Sequence, residues 1–259
     1  MKKFTKFFIN RLLVFPFPSK IIQKINLFVN LYQGKGWGSE TFKDEINNCL
    51  SLLKIKPKIF VDIGANKGKY TKLIIDKFHD IECYIFEPSS FNDKILKNMF
   101  ANNKNVTINN FALSSKASKT KLYSNEEGSG WASLTKRRLD HFGTKFDIEE
   151  EIESKRFDEY WSKNNKILDY VKIDVEGHEM EVLNGFGDLI FNTRLIQFEF
   201  GGCNIDTKTY FQDFWYYFLD KNFLIYRITP RGPKLLNFYN EIDEFFLTTN
   251  YVAINKTLI

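Results

Sequence analysis

One short stretch constrains the fold more than any other: Phe60-Val61-Asp62-Ile63-Gly64-Ala65-Asn66-Lys67-Gly68-Lys69-Tyr70-Thr71. Residues 58–63 end in an apolar, β-branched run of the kind that forms a buried strand. Gly64 and Gly68 bracket a loop. Tyr70, Leu73, Ile74 and Phe78 then recur at helical spacing. A strand that enters a helix through a glycine loop presents backbone N–H groups and a helix N-terminus to a ligand. Such a unit commits its surroundings to an α/β arrangement.

The rest of the chain keeps that rhythm. Thr41 to Leu53 reads as a helix. Strands are expected over 58–63, 82–87, 106–113 and, briefly, 119–123, with helices over 68–78 and 91–102. Tyr170 to Gly177 carries a fourth main strand, and a helix starts at His178. Leu195 to Phe200 is a fifth strand, and 207–221 an aromatic-rich helix. Phe223–Ile228 and Phe245–Ile254 read as a terminal antiparallel hairpin. Alternation of this kind implies a mostly parallel sheet with helices on both faces. Residues 124–166 interrupt it with a Gly- and Ser-rich loop and dense charge, and an insertion of that length is usually functional. It reads as a lid and acceptor-binding region inside a domain spanning 39–259.

Residues 1–38 read as an amphipathic helical extension. Ile21, Ile25, Phe28, Val29 and Tyr32 share one side, and Lys20 and Lys24 lie on the other. Amphipathic helices mostly pack on a core, and packing on the main domain is the expectation. The alternative is peripheral contact with the inner membrane surface. Met1-Lys2-Lys3 followed by Phe7, Phe8 and Ile9 begins like a signal peptide. However, Asn10, Arg11, Pro16 and Pro18 interrupt it, and no small-residue cleavage site follows. No run reaches the roughly 18 apolar residues that span a bilayer. A cytoplasmic protein is expected. Cys49, Cys83 and Cys203 are widely spaced, which suggests neither a disulfide framework nor a zinc site. His79, His141 and His178 show no ligand spacing, so no metal site is assigned. The net charge of +5 is mild and does not demand nucleic acid as a partner.

The glycine loop also restricts its ligand. A dinucleotide site would read Gly-x-Gly-x-x-Gly. Here the order is Asp-x-Gly-x-x-x-Gly, with a carboxylate at the strand end. Asp62 would repel a pyrophosphate and favour a cation. S-adenosylmethionine, with its sulfonium and ammonium groups, is such a ligand. Glu87 ends the second strand, 19 residues beyond Gly68. An acid at that place hydrogen-bonds ribose hydroxyls.

Lys172-Ile173-Asp174-Val175-Glu176-Gly177-His178-Glu179, followed by Val182-Leu183-x-Gly185, resembles the hallmark of the FkbM-type S-adenosylmethionine-dependent methyltransferases. Val61-Asp62-Ile63-Gly64-Ala65-Asn66-x-Gly68 is similar to that family's first motif. Phe86-Glu87-Pro88 resembles its ribose motif, and Asn110-x-Ala112-Leu113-Ser114 the stretch after its third strand. The resemblance covers roughly residues 40–255, with the motifs in order. Phe157-Asp158 departs from the usual Leu-Asp. The resemblance implies a Rossmann-like class I methyltransferase sheet and methylation of a hydroxyl oxygen on a sugar, glycan precursor or natural product. It implies that Asp62, Gly64, Asn66, Gly68, Glu87, Pro88 and Ala112 hold the cofactor.

Methyl transfer is an in-line displacement, so the protein must align the acceptor oxygen and remove its proton. Asp174 and Glu176, at the end of the fourth strand, are the first candidates. Glu176 could instead cap the next helix. His178 is a third candidate, since imidazole titrates near neutrality. Glu199 and Trp131 are expected to meet the acceptor, and Lys136-Arg137-Arg138 could meet an anionic group or simply be solvated. Asp174, Glu176 and Glu199 could together hold Mg²⁺, though this is not favoured. The rivals are an RNA methyltransferase, an NAD-dependent oxidoreductase and a cofactor-binding scaffold without turnover. The acceptor and the oligomeric state are not legible.

Overall fold

The computed structural model of the protein describes residues 19–37 and 41–259. The reading of Met1 to Pro18 and the boundary at 38–39 lie outside the described residues. The described residues open on α1 (Ser19–Tyr32) and α2 (Phe42–Leu53). β1 (Ile59–Ile63), α3 (Lys69–Lys77), β2 (Glu82–Phe86), α4 (Ser90–Met99) and β3 (Val106–Asn109) then alternate. β4 (Ala112–Leu113), β5 (Ser118–Ser124), β6 (Ile148–Lys155) and α5 (Phe157–Trp161) form the insertion and its flanks. β7 (Leu168–Ile173), α6 (Glu179–Asn184), β8 (Thr193–Phe200), α7 (Cys203–Thr207) and α8 (Phe211–Asp220) resume the alternation. β9 (Phe223–Arg227), β10 (Lys234–Leu236) and β11 (Thr249–Asn255) end it.

One sheet runs in the order β10-β9-β11-β8-β7-β1-β2-β3. From β8 through β3 every pairing is parallel, and β11 runs antiparallel to both β8 and β9. The fold is therefore α/β with a mostly parallel sheet. β9 and β11 do pair antiparallel, and β11 is inserted between β8 and β9 with β10 at the edge.

β1 and β7 are buried along their whole length because helices cover both faces of the sheet. Strand alternation splits their side chains into two cores. Val61, Ile63, Val171, Ile173 and Phe198 pack against Phe157, Phe186, Phe214 and Phe218. Phe60, Tyr170 and Leu195 pack on the other face against Ile46, Leu53, Tyr70 and Ile74. Each such buried side chain contributes about 1.5–3 kcal/mol of transfer free energy.

Three expectations change. The strand expected over 106–113 is broken at Asn110 and Phe111, and β4 leaves for a second sheet of order β4-β6-β5. The segment 124–166 is not wholly irregular. It supplies β6, which pairs antiparallel with β5 from Ser118↔Ser154 to Ser124↔Ile148. Only Ile152 and Ser154 of β6 are buried, so its charges disguise a strand. Finally, α1 buries none of its residues on the domain and meets it only at its C-terminal end, where Asn30 and Leu31 are half-buried and Tyr32 contacts Arg231.

Candidate functional site

A cavity of about 350 Å³ opens at the carboxyl ends of β1, β2 and β7. Open parallel sheets bind ligands at that end. Gly64, Asn66, Glu87, Pro88, Ala112, Lys172, Asp174, Glu176 and His178 all line it. Phe86, Leu113, Leu122 and Leu134 supply an apolar wall, and Gly128, Ser129 and Gly130 bring the insertion to its edge.

The β1 loop needs left-handed backbone at Gly64 (φ +81°), Asn66 (φ +49°) and Gly68 (φ +75°). The Gly64 N–H donates to the Phe86 carbonyl at 2.9 Å. A Cβ at Gly64 would lie 1.9 Å from the Asp174 carbonyl oxygen, so the loops after β1 and β7 touch backbone to backbone. The turn delivers the Asn66 N–H to Glu87 Oε2 at 2.8 Å, while the Ser89 N–H reaches Oε1 at 3.0 Å. Burial pushes the Glu87 carboxyl up to about 7, although these donors favour its charged form. The Asn66 side chain donates to the Ser129 carbonyl at 2.9 Å and ties the insertion to the loop.

Asp62 and Gly68 are placed differently from expectation. Asp62 is fully buried and does not line the cavity. Its side chain accepts from Thr71 Oγ1 at 2.5 Å, and one carboxylate oxygen has no partner. Burial raises its pKa, opposed by Lys172. The parallel register sets Asp62 beside Lys172, which puts both side chains on one face of the sheet beneath the loop. Gly68 begins α3 in left-handed conformation, and a Cβ there would lie 2.6 Å from Leu96. Both residues shape the loop from behind.

At the end of β7, the Lys172 ammonium binds Asp174 at 2.8 Å and lies over the Tyr70 ring at 5.1 Å. Burial works against its charge, but Asp174 and Asp62 outweigh burial and hold its pKa above the ordinary value. Glu176 adopts left-handed backbone (φ +54°), which is uncommon without a glycine, and Gly177 follows at φ +99°. The turn swings the Glu176 carboxylate to Arg137 at 2.8 Å, and Arg137 Nε also donates to Asp206 at 3.1 Å. Burial and the nearby Asp174 push the Glu176 carboxyl up to about 8, with Arg137 opposing. Glu176 does not cap α6. Glu179 accepts from the Val175 and Gly177 N–H groups at 3.2 and 3.0 Å and closes that turn. His178 Nε2 lies 3.0 Å from Ser114 Oγ. Burial lowers its pKa, so the imidazole is neutral at pH 7.

The trio Asp174, Glu176 and Glu199 is not brought together, because Asp174 turns to Lys172. Glu199 instead meets Glu176 and Cys203, with potential ligand atoms within 4.8 Å of one another. Burial, then Asp174 and Glu176, hold the Glu199 carboxyl well above its usual range. Burial likewise raises the Cys203 thiol, and a neutral thiol suits a hard cation poorly. Neither Glu199 nor Trp131 lines the cavity. Trp131 is half exposed, with its ring centroid 6.1 Å from that of Phe142. The basic run divides: Lys136 pairs with Glu149 and Arg138 with Asp140 at the surface, and Arg137 alone turns inward. No spacing in the sequence marked Arg137 or Asp206 as partners of Glu176.

The sequence profile of the methyltransferase FkbM domain matches residues 62–225, more than half of the chain. The chain belongs to this family. It is accordingly a methyltransferase that uses S-adenosylmethionine. Solved methyltransferases are similar to the chain at low identity. The plantazolicin methyltransferase BpumL in complex with SAH is similar over 94% of this chain and 92% of its own, at 9% identity and TM-score 0.48. Precorrin-6y C5,15-methyltransferase from Geobacter metallireducens is similar over 82% and 87%, at 10% identity and TM-score 0.43. A SAM-dependent O-methyltransferase from Thermotoga maritima is similar over 82% and 64%, at 11% identity and TM-score 0.42. No curated protein sequence matches the chain.

Proposed function

We propose that this FkbM methyltransferase methylates a hydroxyl oxygen of a saccharide or glycan precursor. The observation that carries the reading is the pair of proton acceptors in the cavity wall, the Glu176 carboxylate and the neutral His178 imidazole. A sugar hydroxyl is a very weak acid and gains most from a positioned base.

The residues present suit a nucleoside cofactor. Glu87 and the Glu176 loop flank opposite sides of β1, with an apolar wall between them. Glu87 Oε2 has one protein donor and keeps a lone pair for a ribose hydroxyl. Gly64 and Asn66 bring backbone to the cofactor, and Pro88 and Ala112 border it. Bound S-adenosylmethionine supplies a methyl group already activated by the sulfonium. This chain's residues then orient the acceptor: Glu176, steadied by Arg137, accepts the hydroxyl proton, with His178 as the second acceptor on the same wall. Trp131 and Glu199, outside the wall in this state, remain candidate contacts for a larger acceptor.

Glu87→Ala is expected to weaken binding of S-adenosylhomocysteine at least about tenfold, since a charge-assisted hydrogen bond contributes roughly 1.5–3 kcal/mol. In the native protein, affinity falls as pH drops through about 7, where Glu87 takes up a proton, and levels off above it. Glu87→Gln removes that dependence. Calorimetry across pH 5.5–8.5, roughly one to two units either side of the carboxyl's midpoint, measures both. Equal affinity in Glu87→Ala would sink the assignment. The acceptor is tested by incubation with methyl-labelled S-adenosylmethionine and a panel of glycans and nucleotide sugars. A labelled methyl ether supports the reading, and label found only on nitrogen or carbon overturns it.

A further inference from the structure

We propose that α1 docks the protein on a bilayer surface that carries anionic lipid. None of its residues is buried. Ile21, Ile22, Ile25, Phe28, Val29 and Tyr32 fall within about a third of the helical circumference at 100° per residue. All six are exposed, Phe28 at 68%. Asn30 and Leu31, which lie off that stripe, are the half-buried residues of the helix. From Ile21 to Val29 the stripe is therefore open to solvent, and only Tyr32 at its end meets the domain, under the Arg231 guanidinium 5.5 Å from its ring. At 1.5 Å per residue the stripe extends about 20 Å, long enough to lie in an interface and too short to cross one.

Charge selects the occupant. Residues 1–39 hold seven Lys or Arg and no Asp or Glu. The whole chain carries +5, so the remaining residues carry −2. Six of those seven basic residues lie on the apolar helix or before it, and the seventh, Lys35, is buried just after it. On the helix itself Lys24 lies just past one edge of the apolar stripe, with Lys20 farther round on the same side. An anionic bilayer satisfies both features, because its surface attracts basic groups while its interior accepts the apolar side chains. A second copy of α1 would instead bring like charges together.

The helix is also firmly rooted. Gly34 (φ +83°) packs so closely that a Cβ would lie 2.2 Å from the Ile228 carbonyl oxygen. Lys35 Nζ donates to the Ile242 carbonyl at 2.8 Å, and the Gly36 N–H to Thr249 Oγ1 at 3.1 Å. Thr249 is the register partner of Phe200, the last residue of β8. The root therefore lies at the end of the sheet on which the cavity opens. Docking through α1 holds that end near the bilayer, where an acceptor with a lipid tail would lie.

The test is co-sedimentation of the full chain with vesicles of phosphatidylcholine, alone or with about a third phosphatidylglycerol. Binding to the mixed vesicles, at least about tenfold weaker on phosphatidylcholine alone and weakened by salt, is the expected result. Ile25→Ser with Phe28→Ser lowers it a further tenfold or so, and leaves S-adenosylhomocysteine binding unchanged. Lys20→Ala with Lys24→Ala weakens binding to the anionic vesicles alone. No binding to either vesicle overturns the proposal. So does a dimer in vesicle-free solution that the Ile25 and Phe28 changes dissolve. Cofactor binding is read separately, so failure here leaves the methyltransferase assignment standing.

Discussion

Gly64→Ala is expected to destabilise the protein by about 3–5 kcal/mol and to abolish binding of S-adenosylhomocysteine. The new methyl group would sit 1.9 Å from the Asp174 carbonyl oxygen and 2.9 Å from its carbon, with a backbone φ of +81° that an L side chain rarely adopts. Relief by movement is blocked on both sides. The Gly64 N–H is bonded to Phe86 at 2.9 Å, and the Asp174 N–H to Ile63 at 3.0 Å. Either loop must leave its strand, and both line the cavity. Urea unfolding gives the stability change and calorimetry the cofactor affinity. A stability loss under about 0.5 kcal/mol, with native affinity, would show that the loops do not meet as described.

Glu176→Gln is expected to lower turnover about a hundredfold or more while leaving S-adenosylhomocysteine affinity within about twofold. The side chain keeps its size and loses the ability to take a proton. In the native protein, turnover rises with pH through about 8 as the Glu176 carboxyl ionises, and the variant's profile is flat there. Arg137→Ala separates positioning from proton transfer. It leaves Glu176 and Asp206 unpaired and largely buried, which costs about 2–4 kcal/mol of stability. It also removes a guanidinium that lowers the Glu176 pKa, so the rise in turnover moves to higher pH. Full activity in Glu176→Gln would transfer the base role to His178.

Much of the site was legible because its requirements are local. Gly64 and Gly68 announce positive φ, and Glu87 ends a strand whose partners are near in sequence. The Lys172-to-Gly177 run announces a buried strand meeting a tight turn, and β7 ends there. Glu179 was legible in principle, since an acid three residues into a turn can take its free N–H groups. The differences from expectation share another cause. Asp62 was expected at the ligand because it sits in the loop motif. Its direction was decided by the pairing of β1 with β7, which sets it beside Lys172 and over Thr71. Arg137 looked like one of three solvated cations, and β6 looked like a charged loop. Both acquired partners only when residues 118–155 folded into the second sheet.

The sequence by itself determined the α/β order, the positions of the two turns that frame the cavity, and the amphipathic character of residues 19–32. These follow from periodicity and backbone conformation, which act over a few residues. Only the tertiary structure decided that Asp174 answers Lys172, that Glu176 answers Arg137, that Glu199 lies with Cys203, and that the apolar stripe of α1 stays exposed from Ile21 to Val29. Most of these are choices among several charged or apolar partners of similar chemistry. Distance makes the choice, and distance is set by the register of strands far apart in the chain.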